Sequence, residues 1–196
     1  MLEISNVRVY DLMESVIACR NAMRITPPEY TQEEFEKSLP RAIQLANTPN
    51  GSGHQNFLKG IRVSFDIKYP NYISPELQRY NFVDIVTSSS KMHKLVNMDM
   101  DYCFNKYVTE QSKQQMKDLI KQYNQDKSYE SFMKAISNCP QGIELFMRCS
   151  TNYLQLRTIV RQRKHHKLKE DWGVGFCENF VKKLPYAKEL IIGEKQ

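Results

Sequence analysis

The sequence predicts an α+β fold. Helical spacing with recognisable start signals recurs along most of the chain, a clear period-2 alternation is confined to a few short stretches, and the composition is that of a folded chain. Of 196 residues, 41% are hydrophobic, 26% charged and 11% aromatic. Such an aromatic share excludes a mainly disordered chain, which lacks the apolar area to offset the entropy of ordering. The length suits one domain spanning 1–196. No apolar run reaches the roughly 18–20 residues that a membrane span needs. The opening MLEISNVRVYDLMESV carries early acids and no apolar h-region, so no signal peptide is expected there.

Residues 1–10 alternate well enough for a short strand, and Met13–Arg24 follows as a helix with Val16, Ile17 and Met23 inward. Thr31 with Glu34 three residues on is a capping-box start, and Phe35, Leu39, Ile43 and Leu45 continue a helical face. Pro40 predicts a break or kink there, and Asn47–Gly53 (NTPNGSG) is the strongest loop signal. Ile61–Tyr69 (IRVSFDIKY) places Ile61, Val63, Phe65 and Ile67 on one face of a strand. Ser74-Pro75-Glu76 reads as an N-cap and helix start, with the helix running from about Pro75 to Val83 and ended by the hydroxyl-rich turn Val86–Ser90. Asp101–Asp126 reads as an exposed polar helix and Phe132–Ile136 as a shorter one, stopped by Asn138-Cys139-Pro140. Ile143–Met147 fits either strand or helix, while Tyr153–Lys164 and Lys169–Leu184 read as helices.

The formal net charge of +6 suits a partner carrying phosphate. The five cysteines, Cys19, Cys103, Cys139, Cys149 and Cys177, show no CxxC pair, which points to reduced, buried thiols in a cytoplasmic setting. With four His and none at ligand spacing from a Cys, no metal site is expected.

Two places break the rule that charges face solvent. Leu156, Ile159 and Val160 form one inward stripe, and Arg163 extends it, with Arg157, Arg161 and Lys164 on another side. A guanidinium there either finds an anion or fixed acceptors, or snorkels past the helix end. Glu76, Arg79 and Val83 share a second face with Tyr72, where Glu76 and Arg79 can pair at i,i+3. Ser88–Ser90 with Lys91 and His93 offers either a phosphate cradle or a solvated serine turn. Arg157–Lys169 holds six Arg/Lys, two His and no acid. That run fits nucleic-acid phosphate, a small anion or plain solvation, and no aromatic residue interleaves it for base stacking.

Taken together these segments resemble the flavin-dependent thymidylate synthases (thymidylate synthase complementing proteins). Gly53-His54 precedes the strand Arg62–Lys68 (RVSFDIK), as a Gly-His precedes a strand of FTF type in that family. The stretch from Arg79 (RYNFVDIVTSSSK) lies where the family carries RHRxxSxxxxSxR. Pro140, Asn152, Leu156 and Arg163 follow the family's proline, asparagine, leucine and arginine before its last long helix, and Ile17–Arg20 (IACR) is similar to its early alanine-arginine segment.

The resemblance implies a small, mainly antiparallel sheet packed with several helices. It implies a homotetramer whose sites are shared between subunits, with FAD as cofactor and NADPH and methylenetetrahydrofolate as co-substrates. Arg79, His54 and Asn152 would then lie on the flavin side. Ser89 and Lys91 would serve the deoxynucleotide phosphate, and Arg163 would grip the pyrimidine and hold charge that develops on its ring during catalysis. No cysteine nucleophile is implied. Tyr80 and Asn81 replace the signature's histidine and second arginine, Asp84 its middle serine, and Lys91 its last arginine. Lys59-Gly60 replaces a glutamate-histidine pair, Glu76 a glutamine that faces the nucleotide, and Ile136 a frequent nucleotide-binding arginine.

Each arginine lost from a phosphate site removes charge-assisted bonds of roughly 1.5–3 kcal/mol, and lysine lacks the bidentate fork. These departures imply either a ligand other than dUMP or chemistry partly lost. The expected function is therefore flavin-dependent methylation of a pyrimidine deoxynucleotide such as dUMP. The alternatives are a dCMP or dUMP hydroxymethylating variant that uses Glu76 and Asp84, a non-catalytic or nucleic-acid-binding relative on the same scaffold, and a structural oligomer.

Overall fold

The computed structural model describes residues 1–49 and 51–193. The chain runs β1 (Glu3–Tyr10), α1 (Leu12–Ala18), α2 (Gln32–Ala46), β2 (Arg62–Pro70), α3 (Ser74–Leu77), β3 (Asp84–Ser88), α4 (Lys91–Lys94), α5 (Glu110–Asp126), α6 (Tyr129–Ser137), β4 (Glu144–Asn152) and α7 (Tyr153–Arg163). A wide π-helical segment, Lys169–Glu178, a 3₁₀ turn, Val181–Lys183, and a last π-helical turn, Lys188–Ile192, follow. The four strands make one antiparallel sheet in the order β1-β2-β4-β3. An α+β fold with a small antiparallel sheet is thus the observed architecture.

The alternation in β2 does what its spacing predicts. Val63, Phe65 and Ile67 are fully buried, while Arg62 and Lys68 of the other face are exposed. β4 pairs with β2 from Glu144 opposite Pro70 to Asn152 opposite Arg62, and it buries Leu145, Met147, Cys149 and Thr151 on the same side. Against this face stack Trp172, Phe176 and Phe180, the last with its ring centroid 4.7 Å from that of Phe65. A second apolar cluster forms where α5 and α6 meet Leu95, Met100, Cys103, Phe104 and Ile143.

Several expected elements differ. The helix after β1 stops at Ala18 and the chain passes into a 3₁₀ turn at Asn21–Met23, which throws Met23 off the inward stripe and leaves it 88% exposed. α2 is capped as predicted, Thr31 Oγ1 accepting from Glu34 N at 3.2 Å, but it runs unbroken through Pro40. Pro40 sits on the exposed side, where water can satisfy the carbonyl it leaves unpaired. α3 is one turn only, with Ser74 inside it rather than capping it, and Thr87 and Ser88 belong to the edge strand β3. The β-branched Ile85, Val86 and Thr87 prefer that extended state. Residues 101–109 are not helical, and α5 begins after Thr109, whose hydroxyl caps Ser112 N. Ile143–Met147 resolves as the start of strand β4, since it lies between two partners. The helix expected over Lys169–Leu184 is broken: a π-helical segment ends at Glu178, a 3₁₀ turn follows at Val181–Lys183, and within the π segment Gly175 lies against Leu2, a Cβ there being 2.9 Å from the Leu2 carbonyl.

Candidate functional site around helix α7

Strand β4 runs directly into α7, and Asn152 makes the junction: its Oδ1 accepts from Gln155 N at 2.9 Å, satisfying an otherwise orphan donor. Leu156, Ile159 and Val160 enter the core as the stripe predicts. Arg157 does too, at 2% exposure, which corrects its assignment to the outer side. Its Nη1 donates to the carbonyls of Leu190 and Ile191 at 3.1 and 3.4 Å, the electronegative end of the last helical turn. Burial and the neighbouring Arg161 lower its pKa to about 10, and its buried Nε has no hydrogen-bond partner among the described residues. The basic run is therefore not one solvated face: Arg157 points inward, Arg163 is caged, and Arg161, Lys164, His165, Lys167 and Lys169 are exposed.

Arg163 is held by its own chain. Its Nε donates to Tyr80 Oη at 2.8 Å and its Nη1 to Glu76 Oε2 at 3.2 Å. The guanidinium carbon lies 5.0 Å from the Trp172 ring centre and 5.6 Å from that of Tyr80. Trp172 Nε1 donates to the same Glu76 oxygen, and His166 Nε2 is 3.5 Å from Glu76 Oε1. Because His166 Nδ1 accepts from Leu168 N at 3.3 Å, its Nε2 carries the proton in the neutral ring. The expected pair of Glu76 with Arg79 does not form, since the carboxylate turns to Arg163 and leaves Arg79 exposed. Arg163 neither snorkels nor stands bare.

Three cavities meet along α7, and Thr158 lines all of them. One of about 430 Å³ brings Arg79, Tyr80 and Arg163 together with Gln162. One of about 340 Å³ is lined by Asn152, Lys59, Arg62 and Phe82. One of about 510 Å³ has Gly51, Gly53, Gln55, Arg157 and Arg161. His54 stands exposed between the lining residues Gly53 and Gln55. Asp84 of β3 faces Arg62 at 3.5 Å.

Ser89 and Lys91 lie elsewhere. Ser89 N donates to Phe146 O at 2.8 Å, and its Oγ accepts from Phe146 N at 3.1 Å, at the opposite end of β4 from Asn152. Phe146 and Asn152 are six positions apart along the strand, roughly 20 Å at about 3.3 Å per residue. Among the described residues, no hydrogen bond, ion pair or shared cavity joins the serine turn to Arg163. Two side chains of the cage, Trp172 and His166, carried no weight in the sequence reading. That Trp172 is the chain's one tryptophan, followed at once by Gly173 and then Gly175, was the available signal.

The chain matches no protein-family profile and no curated protein. Its fold does match solved structures. A flavin-dependent thymidylate synthase ThyX from Helicobacter pylori, complexed with FAD and dUMP, superposes with a TM-score of 0.73 at 15% identity over 96% of this chain and 97% of that one. Another structure of thymidylate synthase X from the same organism, also with FAD and dUMP, gives 0.71 at 15% identity over 97% of each chain. The fold is therefore that of the flavin-dependent thymidylate synthases along nearly its whole length.

Proposed function

We propose that the protein is a flavin-dependent one-carbon transferase that methylates a pyrimidine deoxynucleotide such as dUMP, taking the carbon from methylenetetrahydrofolate and hydride from NADPH. The observation that carries this reading is the meeting of Arg79, Asn152 and Arg163 on one groove of a fold shared end to end with structures that hold FAD and dUMP. The reading takes 1–196 as one domain acting in the cytoplasm as a homotetramer, with Ser89 and Lys91 contributed to the site of a neighbouring copy.

The donor set along α7 fits a dinucleotide cofactor. Gly51 and Gly53 leave open space beside the cavity, Arg157 keeps an unpartnered buried Nε at its wall, and Arg161 adds positive charge. Arg79, His54 and Asn152 would hold FAD, which supplies the electron and one-carbon chemistry when bound. Arg163, with Nη2 unpartnered among the described residues, would stabilise charge on the pyrimidine ring. Burial raises the pKa of all five thiols, Cys149 to about 12 and Cys103 and Cys177 to about 11, so none is poised as a nucleophile near neutral pH. Glu76 is engaged by Arg163 and Trp172, which weakens the case for a carboxylate reading the amine of dCMP.

A second reading, a non-catalytic relative on the same scaffold, is favoured by the caging of Arg163 alone. One preparation separates the two. The purified protein is expected to show a bound-flavin absorbance band, or to take up added FAD, and to convert dUMP only with NADPH and methylenetetrahydrofolate present. FAD uptake without turnover supports the second reading. A colourless protein that takes up no FAD contradicts the first.

A further inference from the structure

Glu76 stands where the family that this chain resembles has a glutamine, and its added charge has one destination. Its Oε2 accepts from both Arg163 and Trp172, while Oε1 faces His166. The pair is shielded, with side-chain exposures of 13% for Arg163 and 26% for Glu76. Its attraction is therefore stronger than that of a surface ion pair. The flanking rings of Tyr80 and Trp172 fix the plane of the guanidinium, so the carboxylate occupies the edge that a bound acceptor would otherwise use. Arg79, in the same cavity, has no such counter-charge among the described residues.

We propose that Glu76 is a tethered counter-anion that closes the Nη1 edge of Arg163, so that a pyrimidine nucleotide gains that edge, beyond the open Nη2, only by displacing the carboxylate. The proposal rests on reading the α7 groove as a nucleotide site. A glutamine of the same length keeps an oxygen for the Trp172 N–H and for Arg163 but gives up the ionic hold. Releasing that hold is expected to transfer to the nucleotide the bonding that displacement consumes.

The test is calorimetric binding of dUMP to the full chain as wild type, Glu76→Gln and the double variant Glu76→Gln with Arg163→Gln. Glu76→Gln is expected to bind dUMP about tenfold or more tightly than wild type, the equivalent of one charge-assisted bond. The double variant should lose that gain, because it runs through Arg163. Equal or weaker binding by a folded Glu76→Gln overturns the proposal and leaves the flavin reading standing. Trp172 supplies a check on the unaltered protein: its emission should change as dUMP saturates, since the indole loses its acceptor. Unchanged emission with dUMP bound overturns displacement even if Glu76→Gln does not fold. Should neither protein bind dUMP, the proposal falls too, and FAD uptake alone then decides whether the wider reading falls with it.

Discussion

At the α7 end of the proposed site the chain surrounds its arginines with its own acceptors, whereas at the serine-turn end, beside Phe146 of β4, Lys91 has no ion pair among the described residues and the serines stay partly open. The family resemblance assigns both ends to a nucleotide. The difference shows what a fold does with a positive charge that it must partly bury. Near the core, Arg163 needs fixed partners whether or not a ligand is present, because an unpaired guanidinium there costs several kcal/mol. At the edge of the sheet, water meets that need, and the side chains stay free for a ligand or a neighbouring copy.

The largest expected effect comes from breaking the closed end. Glu76→Ala removes the carboxylate that Arg163 Nη1 and the Trp172 N–H share, leaving Arg163 only Tyr80, and chemical denaturation should register a loss of about 2–4 kcal/mol. Next comes the junction that aims α7. Asn152→Ala removes the cap on Gln155 N and should cost about 1 kcal/mol by the same measurement. The smallest change is expected at the open end: Lys91→Ala should stay within about 0.5 kcal/mol of wild type. If that site serves phosphate in a neighbouring copy, the same variant should still weaken dUMP binding. A Lys91→Ala that destabilises as much as Glu76→Ala would erase the contrast between the two ends.

Much of this contrast was legible in the amino-acid order. Ile61–Tyr69 declared its buried face through strict alternation, and Thr31 with Glu34 declared the start of α2, because both signals are local. The inward stripe of α7 placed Arg163 at the edge of the core. What the order left hidden was long-range. Glu76 had a partner at hand in Arg79, three residues on, and nothing local said that an arginine 87 residues away would take it instead. Arg157 looked solvated because its acceptors, the carbonyls of Leu190 and Ile191, come from a turn that helical periodicity could not bring there. The composition of Val86–Ser90 predicts a hydroxyl-rich turn, while Val86, Thr87 and Ser88 belong to the edge strand, a state fixed by pairing with β4. The resemblance in spacing, carried by few identical residues, corresponds to a fold shared along nearly the whole chain at 15% identity.

The central claim is that the groove beside α7 takes a flavin next to the Arg163 cage. Since Trp172 is the chain's single tryptophan and packs on Arg163, its emission reports on that place alone. Titration with FAD should quench it along a saturable curve that Arg79→Ala shifts to higher FAD. Emission that stays constant through the titration, beyond the simple absorbance of free flavin, would contradict the account.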